Sequence, residues 1–293
     1  MRVLHLDAGS EMRGGQWQVF RLLEGLTAAG IESTLVARPR APLFETACRQ
    51  GWRVEPWGLT RVLQLFPKYD LIHVHDARSH TLAALLPRAR LVVSRRVAFP
   101  ARTRWKYRVA SRYIAVSEFV KSVLIESGVS AEKITVIYDG VPLLKRASGV
   151  TVLAPANAAD RAKGAHLAGQ AAALANVPLE FSADLESDLR RAGVFLYITF
   201  TEGLGSAALL AMAAAVPVIA SDIGGLKEVI CDGINGLLVP NSPEAIAAAL
   251  RELTANPELA RRLGSAGRKT VEERFTSEHM VSRTMEVYRQ VLA

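Results

Sequence analysis

Short apolar runs, separated by longer stretches of helical periodicity, organise the whole chain. In the first half RVLHLD, STLVA, LIHVH, RLVVS, YIAVS and ITVIY are rich in leucine and β-branched residues and read as buried strands. Between the first two, GGQWQVFRLLEGLTAAG puts Val19, Leu22, Leu23 and Leu26 on one helical face and stops at Gly30. The second half repeats the scheme with TVLAPA, LEFS, VFLYIT, VPVIAS and DGINGLLVP, then closes in amphipathic helices. Strands that alternate with helices predict parallel sheets covered on both faces, an α/β fold. DGVPLLKRASGV, from Asp139 to Val150, breaks the periodicity with Gly, Pro and adjacent basic residues. It predicts Rossmann-like domains at 1–145 and 146–293. A cleft between their C-terminal strand edges is where ligands of open α/β sheets bind.

The most apolar segment, Gly203 to Ser221, has 19 residues without a charge, close to the ~20 that cross a bilayer. Its opening glycines, alanine-rich middle and Pro217 predict instead a glycine loop, a short buried helix over Ser206 to Ala214 and a buried strand. A 293-residue chain that is 50% hydrophobic can build real cores, which excludes a disordered protein. Cys48 and Cys231 lie far apart without metal-ligand spacing, so the chain predicts neither a disulfide framework nor a zinc ribbon, and suits a reducing cytoplasm. MRVLHLDAG enters a strand at once, which predicts no export leader.

Charge is unevenly shared. Residues 1–145 carry 22 Lys and Arg against 12 Asp and Glu, a balance of +10; residues 146–293 carry 14 against 16, a balance of −2. Seven basic residues, Arg95, Arg96, Arg102, Arg104, Lys106, Arg108 and Arg112, fall in one stretch without an acid, among Phe99, Trp105 and Tyr107. The stretch fits a solvated helix face or a patch on anionic lipid or an anionic acceptor; nucleic acid is a weaker match.

Candidate chemistry sits at strand-to-helix turns. The first turn lacks the G-x-G-x-x-G spacing of a dinucleotide site, but Gly14-Gly15 opening a helix lets backbone amides approach an oxygen-rich ligand; a plain turn is the alternative. His75 and Asp76 fall at a strand end in DLIHVHDARSH, where a histidine is either a ligand contact or a satisfied structural group. His73-x-His75 offers two metal ligands, and no further ligand cluster is evident in the sequence, so no metal or cofactor is expected. DRAKGAHLAG brings Arg161 and Lys163 to a helix start, a pincer for phosphate. ITFTEGLGS delivers Glu202 into a glycine loop of potential amide donors, and SDIGGLKEV repeats the arrangement with Gly224, Gly225 and Glu228. Donors beside a carboxylate suit a phosphorylated sugar, and three such turns in one domain point to a nucleotide-linked ligand.

These residues resemble the retaining glycosyltransferases of family 4, of GT-B fold. The resemblance runs through the Gly14-Gly15 loop, DLIHVHD, YIAVSEFVKSVL, KITVIYDGV, the long motif EGLGSAALLAMAAAVPVIASDIGGLKEVICDGINGLLVP and the closing FTSEHMVSRTMEVYRQVLA. It implies a C-terminal domain that holds a nucleotide sugar and an N-terminal domain that holds the acceptor, with the last helix a candidate to pack back on the N-terminal domain. Glu202 would receive the hydroxyls of the donor sugar, and Gly203, Leu204, Gly205 and Ser206 would line the sugar and diphosphate. Lys163, with Arg161, would grip the diphosphate; His75 would lie near the transferred sugar, and Gly14-Gly15 would face phosphate and acceptor. The implied activity is metal-independent hexosyl transfer, with retention of configuration, in lipid-linked or surface glycan synthesis. The implied location is the cytoplasm, with peripheral contact on the anionic inner face of the membrane.

Two features depart from the family. Leu210 stands where a second glutamate would reach the nucleotide ribose. Between KGAHLAG and EFSADL the chain runs directly through QAAALANVP, where the family has a further strand and helix, so the donor domain reads as trimmed. Both departures leave room for a partner chain or homo-oligomer that completes the site, or for a catalytically inactive binding or regulatory subunit.

Overall fold

A computed structural model describes residues 1–100, 105–156 and 164–293, and the chain divides into two compact units, Met1–Gly140 with Ser277–Ala293, and Val141–Thr276. The chain passes from one unit to the other inside the irregular Asp139 to Val150 stretch, a few residues before position 145, and the last helix is part of the first unit.

The first unit runs β1 (Arg2–Asp7), α1 (Gly14–Ala28), β2 (Glu32–Ala37), α2 (Pro42–Arg49), β3 (Arg53–Pro56), α3 (Leu59–Leu65), β4 (Leu71–Val74), α4 (Ala77–Ala83), β5 (Leu91–Arg95), β6 (Arg112–Ala115), α5 (Glu118–Glu126) and β7 (Ile134–Val136). Its parallel sheet has the order β3-β2-β1-β4-β5-β6-β7, so the winding reverses between β1 and β4. Both faces are covered, and all of β4 is buried. Leu22 and Leu26 of α1 pack with Val3, Leu71 and Val92 on one face, while Val19 and Leu23 of the same helix meet Leu35, Leu43 and Ala47.

The second unit runs β8 (Thr151–Pro155), α6 (Ala165–Ala175), β9 (Leu179–Ser182), α7 (Leu185–Asp188), β10 (Ala192–Tyr197), α8 (Ser206–Ala213), β11 (Val218–Ser221), α9 (Leu226–Val229), β12 (Leu237–Val239), α10 (Pro243–Ala255) and α11 (Pro257–Arg274). Helix α12 (Ser277–Leu292) then returns to the first unit, where Met280, Val281, Val287 and Tyr288 join the core over β1 and β4. The second sheet, also parallel, has the order β12-β11-β10-β8-β9 and reverses between β8 and β10. Both sheets are Rossmann-like, and each places its reversal point where open α/β sheets bind ligands.

The Gly203 to Ser221 run folds as loop, α8 and β11. Helix α8 is apolar on every side, and Ala208 to Ala213 are all buried, the signature of a helix inside a core. Among the described residues no helix is long and apolar enough to cross a membrane. The basic stretch after β5 is less of a surface than its composition suggests. Arg96 is largely buried and paired with Asp139 at 3.2 Å. Lys106 is buried and donates from Nζ to the Ala77 carbonyl and the Thr81 hydroxyl. Tyr107 is buried too, whereas Phe99, Trp105 and Arg108 are exposed; Arg102 and Arg104 lie outside the described residues.

Candidate functional site

In the second unit the chain leaves β10 at Tyr197, passes Glu202 and enters α8 at Ser206, at the reversal point of the sheet. Gly205 makes the turn with φ of +109°, where a side chain would be strained and would strike Leu226 at 2.5 Å. Glu202 is half-buried, and its carboxylate is held at both oxygens: the Tyr197 phenol donates to Oε2, and the Gly203 amide donates to Oε1 at 3.1 Å. Burial, then the Glu202 charge, push the Tyr197 phenol well above its ordinary pKa, so it remains a donor.

The neighbouring turn supports this loop. Gly225 N–H donates to the Glu202 carbonyl at 3.2 Å, and a Cβ at Gly225 would lie 1.9 Å from the Gly203 carbonyl oxygen, so nothing larger than glycine fits. Behind the loop, the Thr199 amide donates to Ser221 Oγ at 2.9 Å, Ser221 Oγ to Asn241 Oδ1 at 2.6 Å, and Asn241 Nδ2 back to the Thr199 carbonyl at 2.9 Å. This closed triangle ties the exits of β10 and β11 together, and it costs no unsatisfied polar group.

The other expected residues of this unit divide. Gly203 and Gly205 are buried in the loop and Ser206 is half-buried at the start of α8. Leu204 turns its side chain into the core, at 1% exposure, which leaves its backbone as the part that can line a ligand. Glu228 is half-buried on the short α9. Arg161 and Lys163 lie outside the described residues, just before Gly164 and α6. Leu210 is buried in α8.

In the first unit Gly14 and Gly15 open α1 as expected, and a cavity of about 360 Å³ lies at the exits of β1 and β4, lined by their neighbours Arg13 and Gln16 and not by the two glycines. Glu11, Arg13, Gln16, Asp76 and Arg78 are among its lining residues. Asp76 caps α4, accepting from Arg78 N at 2.8 Å, Ser79 N at 3.1 Å and Ala8 N at 2.7 Å, so it braces the rim. Asp7, buried beneath, accepts from Gly9 N and Gln16; burial first, then the charge of Asp76, raise its pKa.

His75 does not reach this cavity through a nitrogen. Its Nε2 meets His5 Nδ1 at 3.1 Å, and its Nδ1 is buried without a partner among the described residues, as is His5 Nε2. In this structure His75 is an interior residue at 8% exposure. His73, directly across from His5 in the β1–β4 pair, bonds Tyr288 Oη at 2.6 Å and Ser94 Oγ at 2.8 Å. Burial lowers the pKa of His5 to about 3 and of His73 and His75 well below the usual imidazole value, with neighbouring histidines and Arg96 adding to the latter two. The three offer nitrogens within 4.8 Å of one another, a ligand set the spacing of His73 and His75 alone did not reveal. Arg96 places a positive charge beside the set, which disfavours a cation there.

Residues 12–145 match the family model Glycosyltransferase Family 4, and residues 159–270 match the model Glycosyl transferases group 1. Both halves thus match glycosyltransferase family models. The chain resembles alpha-maltose-1-phosphate synthase of Mycolicibacterium smegmatis, at 44% identity over 112 residues, 36% of this chain and 29% of that protein. It resembles D-inositol 3-phosphate glycosyltransferase of Streptomyces bingchenggensis at 38% over 104 residues, 35% of this chain and 23% of that protein. The matches to these curated relatives thus span less than a third of the relatives' length. The fold is similar over 99% of both chains to Anabaena HepE in complex with UDP and glucose, with a TM-score of 0.87 at 18% identity. A glycosyltransferase from Rickettsia africae gives 0.83 at 17% identity, over 99% of this chain and 98% of that one. The glycosyltransferase neighbours place the architecture in the GT-B class.

The residues that complete the Glu202 loop were not visible in the sequence as site residues. Tyr197 sits in a run that reads as strand core; Ser221 and Asn241 are separated by β12. His5 lies far from His75 in the chain and meets it only through the β1–β4 register.

Proposed function

We propose that this chain transfers a sugar from a nucleoside diphosphate donor to a hydroxyl of a glycan or lipid-linked acceptor. The single observation that carries this reading is the Glu202 carboxylate, held at both oxygens at the reversal point of the second sheet and followed directly by the start of α8. A fixed carboxylate accepts from sugar hydroxyls while amides and a helix N-terminus favour the diphosphate. The names of the relatives and the UDP and glucose bound by HepE support the same assignment.

In the proposed reaction the acceptor oxygen bonds to the anomeric carbon as the bond from that carbon to the diphosphate breaks. The diphosphate leaves with the electron pair, and the acceptor's proton ends on it. Stabilisation of the leaving group is the main demand on the protein, and Lys163 and Arg161 are assigned to it. The first unit, with the Gly14-Gly15 turn that opens α1, takes the acceptor. Retention of configuration, a donor domain shortened relative to its family and a metal-independent mechanism belong to the same proposal, as does action on the inner face of the membrane.

A second reading, a catalytically inactive binding or regulatory subunit, is favoured by Leu210, which presents no acceptor to a ribose. Replacement of Glu202 by Gln separates the two. In an enzyme, loss of a charged hydrogen bond worth roughly 1.5–3 kcal/mol lowers turnover at least about tenfold, with nucleotide binding little changed. A transfer rate unaltered in E202Q would refute the role given to Glu202.

A further inference from the structure

Within β10 the side chain that ends the strand is a tyrosine, and its hydroxyl leaves the core to meet a carboxylate in the following loop. Tyr197 is 5% exposed, its ring is stacked with Phe195 at 6.1 Å between centroids, and its edge lies beneath Gly205. A buried phenol needs a partner, and here it finds one in the loop rather than in the backbone of the sheet. The same residue therefore bonds Glu202 through its hydroxyl, and its ring lies where a side chain at Gly205 would meet it at 3.7 Å.

We propose that Tyr197 is a positioning residue that sets the orientation of the Glu202 carboxylate toward the sugar of the donor. This rests on the reading of Glu202 as the sugar-binding carboxylate. A glutamate on a loop has three side-chain torsions to lose, and a free carboxylate would sample many of their combinations. The Gly203 amide bonds Oε1 from the adjacent residue and follows the loop wherever it goes, so it cannot fix the carboxylate relative to the sheet. The Tyr197 phenol can, because its ring is anchored in the core of β10. The pair thus transmits the rigidity of the sheet to a group on a glycine loop, the arrangement that precise binding sites need. Burial and the carboxylate charge both keep the phenol protonated, so the donor persists across the working range of pH.

The test uses Y197F, which keeps the buried ring and removes only the hydroxyl. In the ligand-free chain, the ¹³Cζ resonance of Tyr197, one of 6 tyrosines, should move in E202Q, because the acceptor of its hydrogen bond changes from charged to neutral. A Tyr197 signal indifferent to E202Q overturns the proposal without reference to any ligand. The full chain is then titrated with UDP, ADP and GDP and with the glucose ester of each. For the base that binds, Y197F should weaken the sugar ester about tenfold, leave the free diphosphate unchanged, and add nothing further in an E202Q background. Equal weakening of diphosphate and ester, or additive losses in the double variant, contradicts positioning and marks Tyr197 as a structural residue of the loop. If the resonance responds but none of these ligands binds, the hydrogen bond stands and its proposed role falls together with the sugar-binding reading.

Discussion

Mild acid should selectively destabilise the first unit. His5, His73, His75 and His80 are buried there, and burial, the largest cause in each case, lowers their pKa values: to about 3 for His5, to about 4 for His80, and well below the usual value for the other two. In the unfolded chain each returns to about 6.5. The native state then binds fewer protons than the unfolded state below pH 6.5, so stability is full above that pH and falls as pH drops through it. Between pH 7.5 and 5.5 each neutral histidine contributes a loss of about 1.4 kcal/mol, and the four together about 5.5 kcal/mol. That is comparable to the whole stability of many domains. Asp7, whose pKa is raised, acts in the opposite sense, since its protonated native form gains relative to the unfolded chain as pH falls toward the ordinary carboxylate value. All 4 tryptophans, Trp17, Trp52, Trp57 and Trp105, belong to the first unit, so urea denaturation followed by tryptophan fluorescence reports on it separately. The free energy of unfolding should fall by about 4–6 kcal/mol from pH 7.5 to 5.5 at an unchanged urea slope. A fall of under about 1.5 kcal/mol would mean that the histidines are not buried neutral groups, and the account of His5, His73 and His75 would be wrong.

Tyr288→Phe removes the partner of buried His73 Nδ1 and should cost about 1–3 kcal/mol in the same fluorescence assay; a change under about 0.5 kcal/mol would show that α12 docks without that bond. Leu210→Glu places a carboxylate in a helix buried on every side, and protonating it at pH 7 alone costs about 3.7 kcal/mol, so the variant should be several kcal/mol less stable at pH 7 and recover partly at pH 5. A stable L210E with tighter nucleotide-sugar binding would instead put the ribose beside this position. Membrane contact predicts that the chain sediments with anionic vesicles at low salt, weakened by charge reversal at Arg102, Arg104 and Arg108; sedimentation indifferent to lipid charge would return the patch to ordinary surface.

The repeating fold was legible because parallel strands buried on both faces leave apolar runs, as in LIHV of β4 and VIAS of β11. Strand β3 was not legible. It is an edge strand, RVEP, exposed at both ends, and it carries two charged residues and a proline where a central strand would carry valine or isoleucine. Glu202 stood out as a lone carboxylate between a strand and a glycine turn, a pattern local enough to see in the chain. Its anchor did not, because the bond from Tyr197 exists only when the loop folds back over the strand end. His73 and His75 invited a ligand role by spacing, but their neutrality comes from burial first, with His5 and Arg96 adding to it, and none of these is visible in the local sequence. Lys106 shows the same limit in reverse: a basic run reads as solvated surface until Nζ is found capped by Ala77 and Thr81.

The central claim is that the second unit binds a nucleotide sugar and activates it. The most direct measurement incubates the purified full chain with UDP-, ADP- and GDP-linked hexoses and follows release of the nucleoside diphosphate, with E202Q in parallel. Slow release is expected from at least one donor, faster when an acceptor glycan is supplied, and at least about tenfold slower in E202Q. Tight binding of a donor with no release from any of them, with or without acceptor, would contradict transfer and leave the chain a binding subunit.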